Sequence, residues 1–316
     1  MQTSRAILVG AAIAILTLGG GAAFAQDGTV GSSNSDSVVG TLANSYSTVV
    51  NGDFVAAGVG LRGTGTGMIN VSGIPAGATV QSAFLYWVTI GTSNTFTNPT
   101  LDGMPVNGAL IGSGGDTCWG ASGNFGYRAD VSSMVSGNGT YTIAGLPNSG
   151  PGVDDSQGAS LVVVYSDPTA PARAILINDG IVTLDSNGDV YTDTLTGFVP
   201  DSPLTGAHVT YLMGDGQNFG SPMTFNSQTV TMSFPGADGP LWDTLDFDVT
   251  ATNPTDPVDS TLTITGDCLA WAATVFAVTT DSAPVPATPT WALVAILVVL
   301  GAGALYLIGN RHRSAR

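Results

Sequence analysis

The sequence predicts an all-β protein: two tandem β-sandwich modules of jelly-roll or Greek-key type, followed by one C-terminal transmembrane helix. Three observations carry this. The chain has no Glu and no Lys; all 23 acidic residues are Asp and all seven basic residues are Arg. With those helix formers missing, Gly, Thr, Ser, Val, Asp and Asn fill the body, a composition of strands and turns. Short runs of alternating apolar residues recur between turn signals, and none keeps a 3.6-residue period for long. Five blocks of the body also recur in the same order.

The predicted strands of the first half are 54–61, 67–71, 79–89, 140–144, 159–166 and 174–177. Those of the second half are 181–184, 190–195, 207–213, 229–234, 242–249, 260–265 and 270–279. Residues 26–45, rich in Ser, Asn and Gly, read as a flexible lead. The repeat pairs 78–86 with 207–213, and 101–106 with 225–230. It pairs Trp119 plus 127–131 with Trp242 plus 245–249, then 139–145 with 260–266, and 159–165 with 272–278. This places module 1 at 46–166 and module 2 at 167–282, with a seam near Asp167 to Gly180. Each is about 120 residues, the size of a sandwich of seven or eight strands. Ala83-Phe84-Leu85-Tyr86-Trp87 is apolar on both faces and so reads as a central strand covered on both sides. Trp119, Trp242 and Trp271 read as packing residues and not as ligand platforms.

Both ends read as targeting devices. Arg5, the apolar stretch 6–18 and Ala23-Phe24-Ala25 form a signal peptide spanning 1–25, cut between Ala25 and Gln26. Residues 283–290 form a Pro-rich linker and sorting motif containing Val285, Pro286 and Pro289. The span 291–309 opens on Trp291, an interfacial aromatic, and carries no charge over its apolar run 291–308. Its 18 apolar residues reach about 27 Å at 1.5 Å each, just enough to cross a bilayer core. The basic tail 310–316 follows with Arg311 and Arg313, which places the C-terminus in the cytoplasm and the body outside.

Val285-Pro286-Ala287-Thr288-Pro289-Thr290-Trp291-Ala292 resembles the IPTL-CTERM sorting signal of the PEP-CTERM-like class. Pro286, Trp291 and Ala292 match its pattern, while Ala287 and Thr288 depart from its Thr-Leu pair. The resemblance implies an envelope protein handled by a membrane enzyme of exosortase or rhombosortase type, with possible transfer from the inner-membrane anchor to the cell surface. The body is similar to the DUF3344 group of exported surface proteins. Ala83 to Trp87, Tyr127-Arg128-Ala129-Asp130-Val131, Gly158 to Tyr165 and Gly266 to Trp271 carry that resemblance. It implies an adhesin-like β-sandwich and no particular reaction.

Charge and residue inventory narrow the function. Arg62, Arg128 and Arg173 are the arginines of the exported body and face 23 Asp, a formal charge of −20. That argues strongly against nucleic acid, whose binding needs cations to neutralise phosphate, and also against anionic lipid. Cys118 and Cys268 are the two cysteines, and an exported pair reads as a disulfide. Such a link closes roughly 150 residues and removes about 5 kcal/mol of unfolded-chain entropy. His208, the one His of the body, sits in a predicted strand with no Gly-x-Ser-x-Gly elsewhere and reads as structural. Asp154 and Asp155 are a carboxylate pair of the kind a glycosidase needs. Asp185, Asn187, Asp189 and Asp193 place oxygens at alternate positions, as a Ca²⁺ loop does, although Asn187-Gly188 equally marks a plain hairpin. No other cofactor is expected. The expected function is non-catalytic: surface display in adhesion, extracellular matrix or surface-layer assembly, with membrane, processing enzyme and glycans or matrix as partners. The alternatives are a carbohydrate-binding module using exposed aromatics and, after it, an Asp-dependent glycoside hydrolase.

Overall fold

The computed structural model describes residues 38–282. The first half is built from β1 (Val38–Gly60), β2 (Gly67–Val71), β3 (Thr79–Gly91), β4 (Thr100–Leu101), β5 (Met104–Pro105), β6 (Ala109–Gly114), β7 (Gly123–Asp130), β8 (Gly139–Ala144) and β9 (Asp154–Ser166). The second half comprises β10 (Ala172–Leu184), β11 (Val190–Leu195), β12 (Ala207–Gly216), β13 (Met223–Phe225), β14 (Gln228–Thr231), β15 (Leu241–Asp248), β16 (Val258–Thr263) and β17 (Leu269–Thr279). A single 3-10 turn at Thr250–Thr252 is the one helical element among the described residues. No helix there is long and apolar enough to cross a membrane. The signal peptide, the sorting motif, the span 291–309 and the basic tail lie outside the described residues.

Strand β1 organises the rest. Its residues 38–51 pair with β10, and its residues 52–60 pair with β9. One strand therefore belongs to both halves, and it joins them into a nine-stranded sheet of order β15-β12-β17-β10-β1-β9-β3-β7-β6. Two four-stranded sheets complete the fold, β2-β8-β4-β5 and β11-β16-β13-β14. The halves share one strand order: β10-β17-β12-β15 runs as β1-β9-β3-β7 does, and β11-β16-β13-β14 as β2-β8-β4-β5 does. The sequence blocks paired above occupy corresponding strands in these two series.

Three apolar cores explain the alternation. Ala83, Leu85 and Trp87 of β3 face the sheet β2-β8-β4-β5, together with Leu161 and Val163 of β9. Leu176, Tyr211, Trp271 and Phe276 face β11-β16-β13-β14 in the same way. The third core lies between the halves and joins Phe84, Tyr86 and Val162 to Ile175, Ile177 and Trp242. The nine-stranded sheet thus folds over on itself about β1, giving four layers. This is why Ala83 to Trp87 is apolar on both faces: each face meets a different core.

Two expectations are corrected. Residues 38–45, read as flexible lead, open β1; their Ser, Asn and Gly content suits a strand paired along one edge and half exposed. Segments 174–177 and 181–184, read as two strands, are one strand. Gly180 lies inside it with φ +158, where the pairing with β17 shifts register between Asp179 and Val182. That glycine is a bulge and not a turn.

Trp242 shows how tightly the halves close. Its fully buried ring lies against Gly158 of β9, and its Nε1 donates to Ser160 Oγ at 2.9 Å. A Cβ on Gly158 would stand 2.2 Å from Trp242 Cγ. Gly158→Ala is therefore expected to destabilise the fold by about 1–3 kcal/mol, read from the midpoint of denaturant unfolding. An unchanged midpoint would show that the Trp242 ring does not rest on Gly158.

Candidate functional site

An extended assembly of polar side chains lies where the halves meet near the cysteines. Arg62 follows β1, Asp155 and Gln157 open β9, and Asp215 closes β12. Arg62 Nη2 donates to Gln157 Oε1 at 2.5 Å and to Asp215 Oδ1 at 3.1 Å. Trp119 donates its indole N–H to both Asp215 oxygens, at 2.7 and 2.8 Å, and its ring lies 4.6 Å from the guanidinium. Gln157 in turn donates to Asn124, which donates to Thr117. Asp155 accepts the backbone N–H groups of Gly63 and Ser156. Nearby, Asp267 accepts from Gln217 and Cys268, and Asp243 accepts from Gly236 and Ala237.

Burial controls the protonation of this assembly. It lifts Asp215 to about 7 against the opposing pull of Arg62, Asp243 to about 6, and Asp267 to about 8 with Asp215 nearby adding to the rise. It lowers Arg62, with Asp215, Asp155 and Asp116 opposing. Raised acids of this kind suit proton transfer in an open cleft. Here Asp155, Asp215 and Asp243 are almost wholly buried and already bonded inside the protein.

A second cluster holds His208. Its Nδ1 lies 2.7 Å from Asp246, its Nε2 lies 2.8 Å from Asp53, and its ring stacks on Phe54 at 4.4 Å. Burial disfavours the cation, but the two carboxylates outweigh it and lift His208 to about 9. Both nitrogens therefore carry protons at neutral pH, and the ring has no lone pair with which to act as a base. Arg173 also pairs with Asp53. In a third cluster Asp179 Oδ2 accepts from Arg128 at 2.5 Å, Tyr86 at 2.9 Å and Ser45 at 2.7 Å.

Among the sequence-derived candidates, Cys118 and Cys268 form the disulfide, with Cα atoms 6.2 Å apart. Asp154 and Asp155 do not form a pair. As neighbours in β9 they point to opposite faces; Asp154 caps the backbone of Thr92 and Ser93, while Asp155 is buried. The four calcium candidates are not brought together. Asp189 accepts from the backbone of Asp185 and Ser186 in the turn before β11, and Asn187 lies in that turn. Asp193 is buried inside the sandwich, bonded to Asn178. No group of three His, Cys, Asp or Glu among the described residues is disposed to hold a metal ion. Trp242 and Trp271 are core residues, and Trp119 covers Arg62. Val285, Pro286, Pro289, Trp291, Arg311, Arg313 and the Ala25–Gln26 junction lie outside the described residues. The buried Asp215, Asp243 and Asp267 carry no local signal in sequence that separates them from the other aspartates.

These groups set a pH dependence. The buried acids keep their protons in the native state up to pH 6–8, while the unfolded chain releases them near pH 4, so their contribution falls as pH rises through that window. His208 acts in the same direction: its stabilisation is complete below pH 6.5 and is lost as pH rises towards 9. The thermal midpoint is therefore expected to be highest in mild acid and to fall steadily towards pH 9, with Asp267→Asn flattening the fall. A midpoint that rises between pH 6 and 9 would contradict these protonation states.

No curated protein matches the chain. Among solved structures it is similar to a β-porphyranase of glycoside hydrolase family 86 from the human gut bacterium Bacteroides plebeius, at 9% identity and a TM-score of 0.26. That match covers 79% of this chain and 38% of the enzyme. A BuGH86 variant solved with neoagarooctaose gives 9% identity and a TM-score of 0.25, over 78% of this chain and 34% of the other. The chain spans little more than a third of either enzyme, and likeness at this level carries no functional argument. The profile described as "Protein of unknown function (DUF3344)" matches residues 34–279. The chain belongs to the DUF3344 family.

Proposed function

We propose that the chain is a non-catalytic surface protein, displayed at the cell envelope as two tandem β-sandwich modules and acting in adhesion, extracellular matrix or surface-layer assembly. The observation that carries this is the use of its cationic groups. Arg62, Arg128, Arg173 and His208 are the basic residues of the described chain, and each engages a carboxylate within the fold. Arg62, Arg128 and His208 each join first-half and second-half strands. The buried acids Asp155, Asp215, Asp243 and Asp267 are likewise held in structural bonds. Chemistry is thus directed inward, towards locking the halves together, and the exterior is left for contact.

That exterior is acidic and rich in hydroxyls. A rank of threonines crosses the sheet β11-β16-β13-β14, with Thr192 opposite Thr261, Thr261 opposite Thr224 and Thr224 opposite Thr229. The aromatic side chains of the described residues are buried or half-buried, which favours contact through these hydroxyls over stacking on an open ring. The sequence features of both ends support export, an inner-membrane anchor and later processing by an exosortase- or rhombosortase-type enzyme.

In fractionated native cells the chain is expected in the envelope, beginning at Gln26 with its disulfide formed. Deleting it is expected to weaken attachment or surface-layer integrity, and the purified protein to leave polysaccharides uncut. Unprocessed chain in the cytosol with both thiols free would contradict the display. Polysaccharide cleavage abolished by Asp154→Asn with Asp155→Asn would contradict the non-catalytic role.

A further inference from the structure

A polar trio interrupts the apolar core of the second half. Asn178 of β10, Asp193 of β11 and Thr274 of β17 are 4%, 2% and 0% exposed. Asn178 and Thr274 are directly opposed across the β10–β17 pair, so their side chains share one face with Cβ atoms about 4.5–5.5 Å apart. Asn178 Nδ2 donates to Asp193 Oδ1 at 2.8 Å and to Thr194 O at 3.1 Å. Asn178 Oδ1, Asp193 Oδ2 and Thr274 Oγ1 make no hydrogen bond of normal geometry, although the Thr274 hydroxyl lies near enough to Asp193 to oppose the rise in its pKa. Polar atoms this deeply buried are ordinarily bonded with good geometry, so three in one cluster that are not need an explanation.

The shared strand order supplies a control. Where β10 and β17 oppose Asn178 to Thr274, β1 and β9 oppose Ala57 to Leu161. Where β11 and β16 oppose Asp193 to Ser260, β2 and β8 oppose Val71 to Gly139. Ala57, Leu161 and Val71 are apolar and pack into the core of the first half. The architecture therefore closes without a polar trio at this place, and its presence in one half points to chemistry.

We propose that Thr274 and Asn178 become joined by an intramolecular ester, formed autocatalytically with Asp193 as proton shuttle. Asp193 takes the hydroxyl proton of Thr274 as Oγ1 attacks Asn178 Cγ. The new Oγ1–Cγ bond forms, the Cγ–Nδ2 bond breaks, and Asp193 delivers the proton to Nδ2, which leaves as ammonia. Atoms balance without an oxidant, reductant or external reagent, and Asp193 ends as it began. The arrangement suits the step: one carboxylate oxygen already holds the leaving nitrogen, and the Thr274 hydroxyl stands beside the same carboxylate. Burial raises the pKa of Asp193, with Asn178 and Thr274 as the opposing neighbours, so the carboxylate is fit to exchange a proton. The apolar surroundings of Leu176, Leu195, Leu262 and Phe276 exclude the water that would hydrolyse the product. The ester would tie β10 to β17 beside the strand shared by both halves, a mechanical staple independent of the disulfide.

Mass spectrometry of the purified protein, reduced, alkylated and digested, tests this. The expected result is a branched peptide joining the β10 segment to the β17 segment, lighter than the two linear peptides by one ammonia. Mild alkali should separate it and leave a carboxylate at position 178. The near-isosteric Thr274→Val, and Asp193→Asn, should yield only linear peptides. Linear peptides with the Asn178 amide intact in the unsubstituted protein would overturn the proposal. So would ammonia loss confined to other positions, such as Asn187 beside Gly188.

Discussion

A strand that serves two sheets at once is the constraint from which this structure follows. Residues 38–51 of β1 complete the pairing of β10, and residues 52–60 complete that of β9. Neither half can satisfy its backbone hydrogen bonds there without the other half in place, and an unpaired buried ladder is costly. The sheet must then close on itself about β1. That closure creates the third core and demands apolar residues on both faces of β3, β9, β10 and β17. Glycines such as Gly158 are needed where a ring from the other half arrives.

Electrostatics follows from the same closure. The body carries −20 in formal charge, which would repel itself if distributed without order. The contact zone instead places its few cations at three points: Arg62 on Asp215, Arg128 on Asp179, and His208 on Asp53 and Asp246. Aspartates that find no cation there, such as Asp267 and Asp243, are held by backbone N–H groups and keep their protons towards neutral pH. The fold therefore tolerates mild acid better than alkali, and its polar groups serve cohesion and not turnover.

Much of the fold was legible in sequence because it rests on local pattern. The repeat blocks occupy equivalent strands, Ala83 to Trp87 is covered on both faces, and the two cysteines pair. What sequence hid depends on distant partners. Residues 38–45 read as loose because their Ser and Gly suit an edge whose partner, β10, lies more than 130 residues away. Gly180 read as a break because a bulge and a turn demand the same residue. Asp193 fitted a cation loop by spacing, yet strand alternation turns it inward to Asn178. Arg62 and Asp215, 153 residues apart, give no sign in sequence that they will meet.

The central claim is that the two halves form one cooperative body in which polar chemistry is structural. Differential scanning calorimetry of the protein before and after reduction of Cys118–Cys268 tests it most directly. A single transition is expected in both states, with calorimetric and van't Hoff enthalpies equal and a lower midpoint once the link is reduced. Two resolved transitions, each carrying about half of the enthalpy, would show that the halves melt independently and would contradict it.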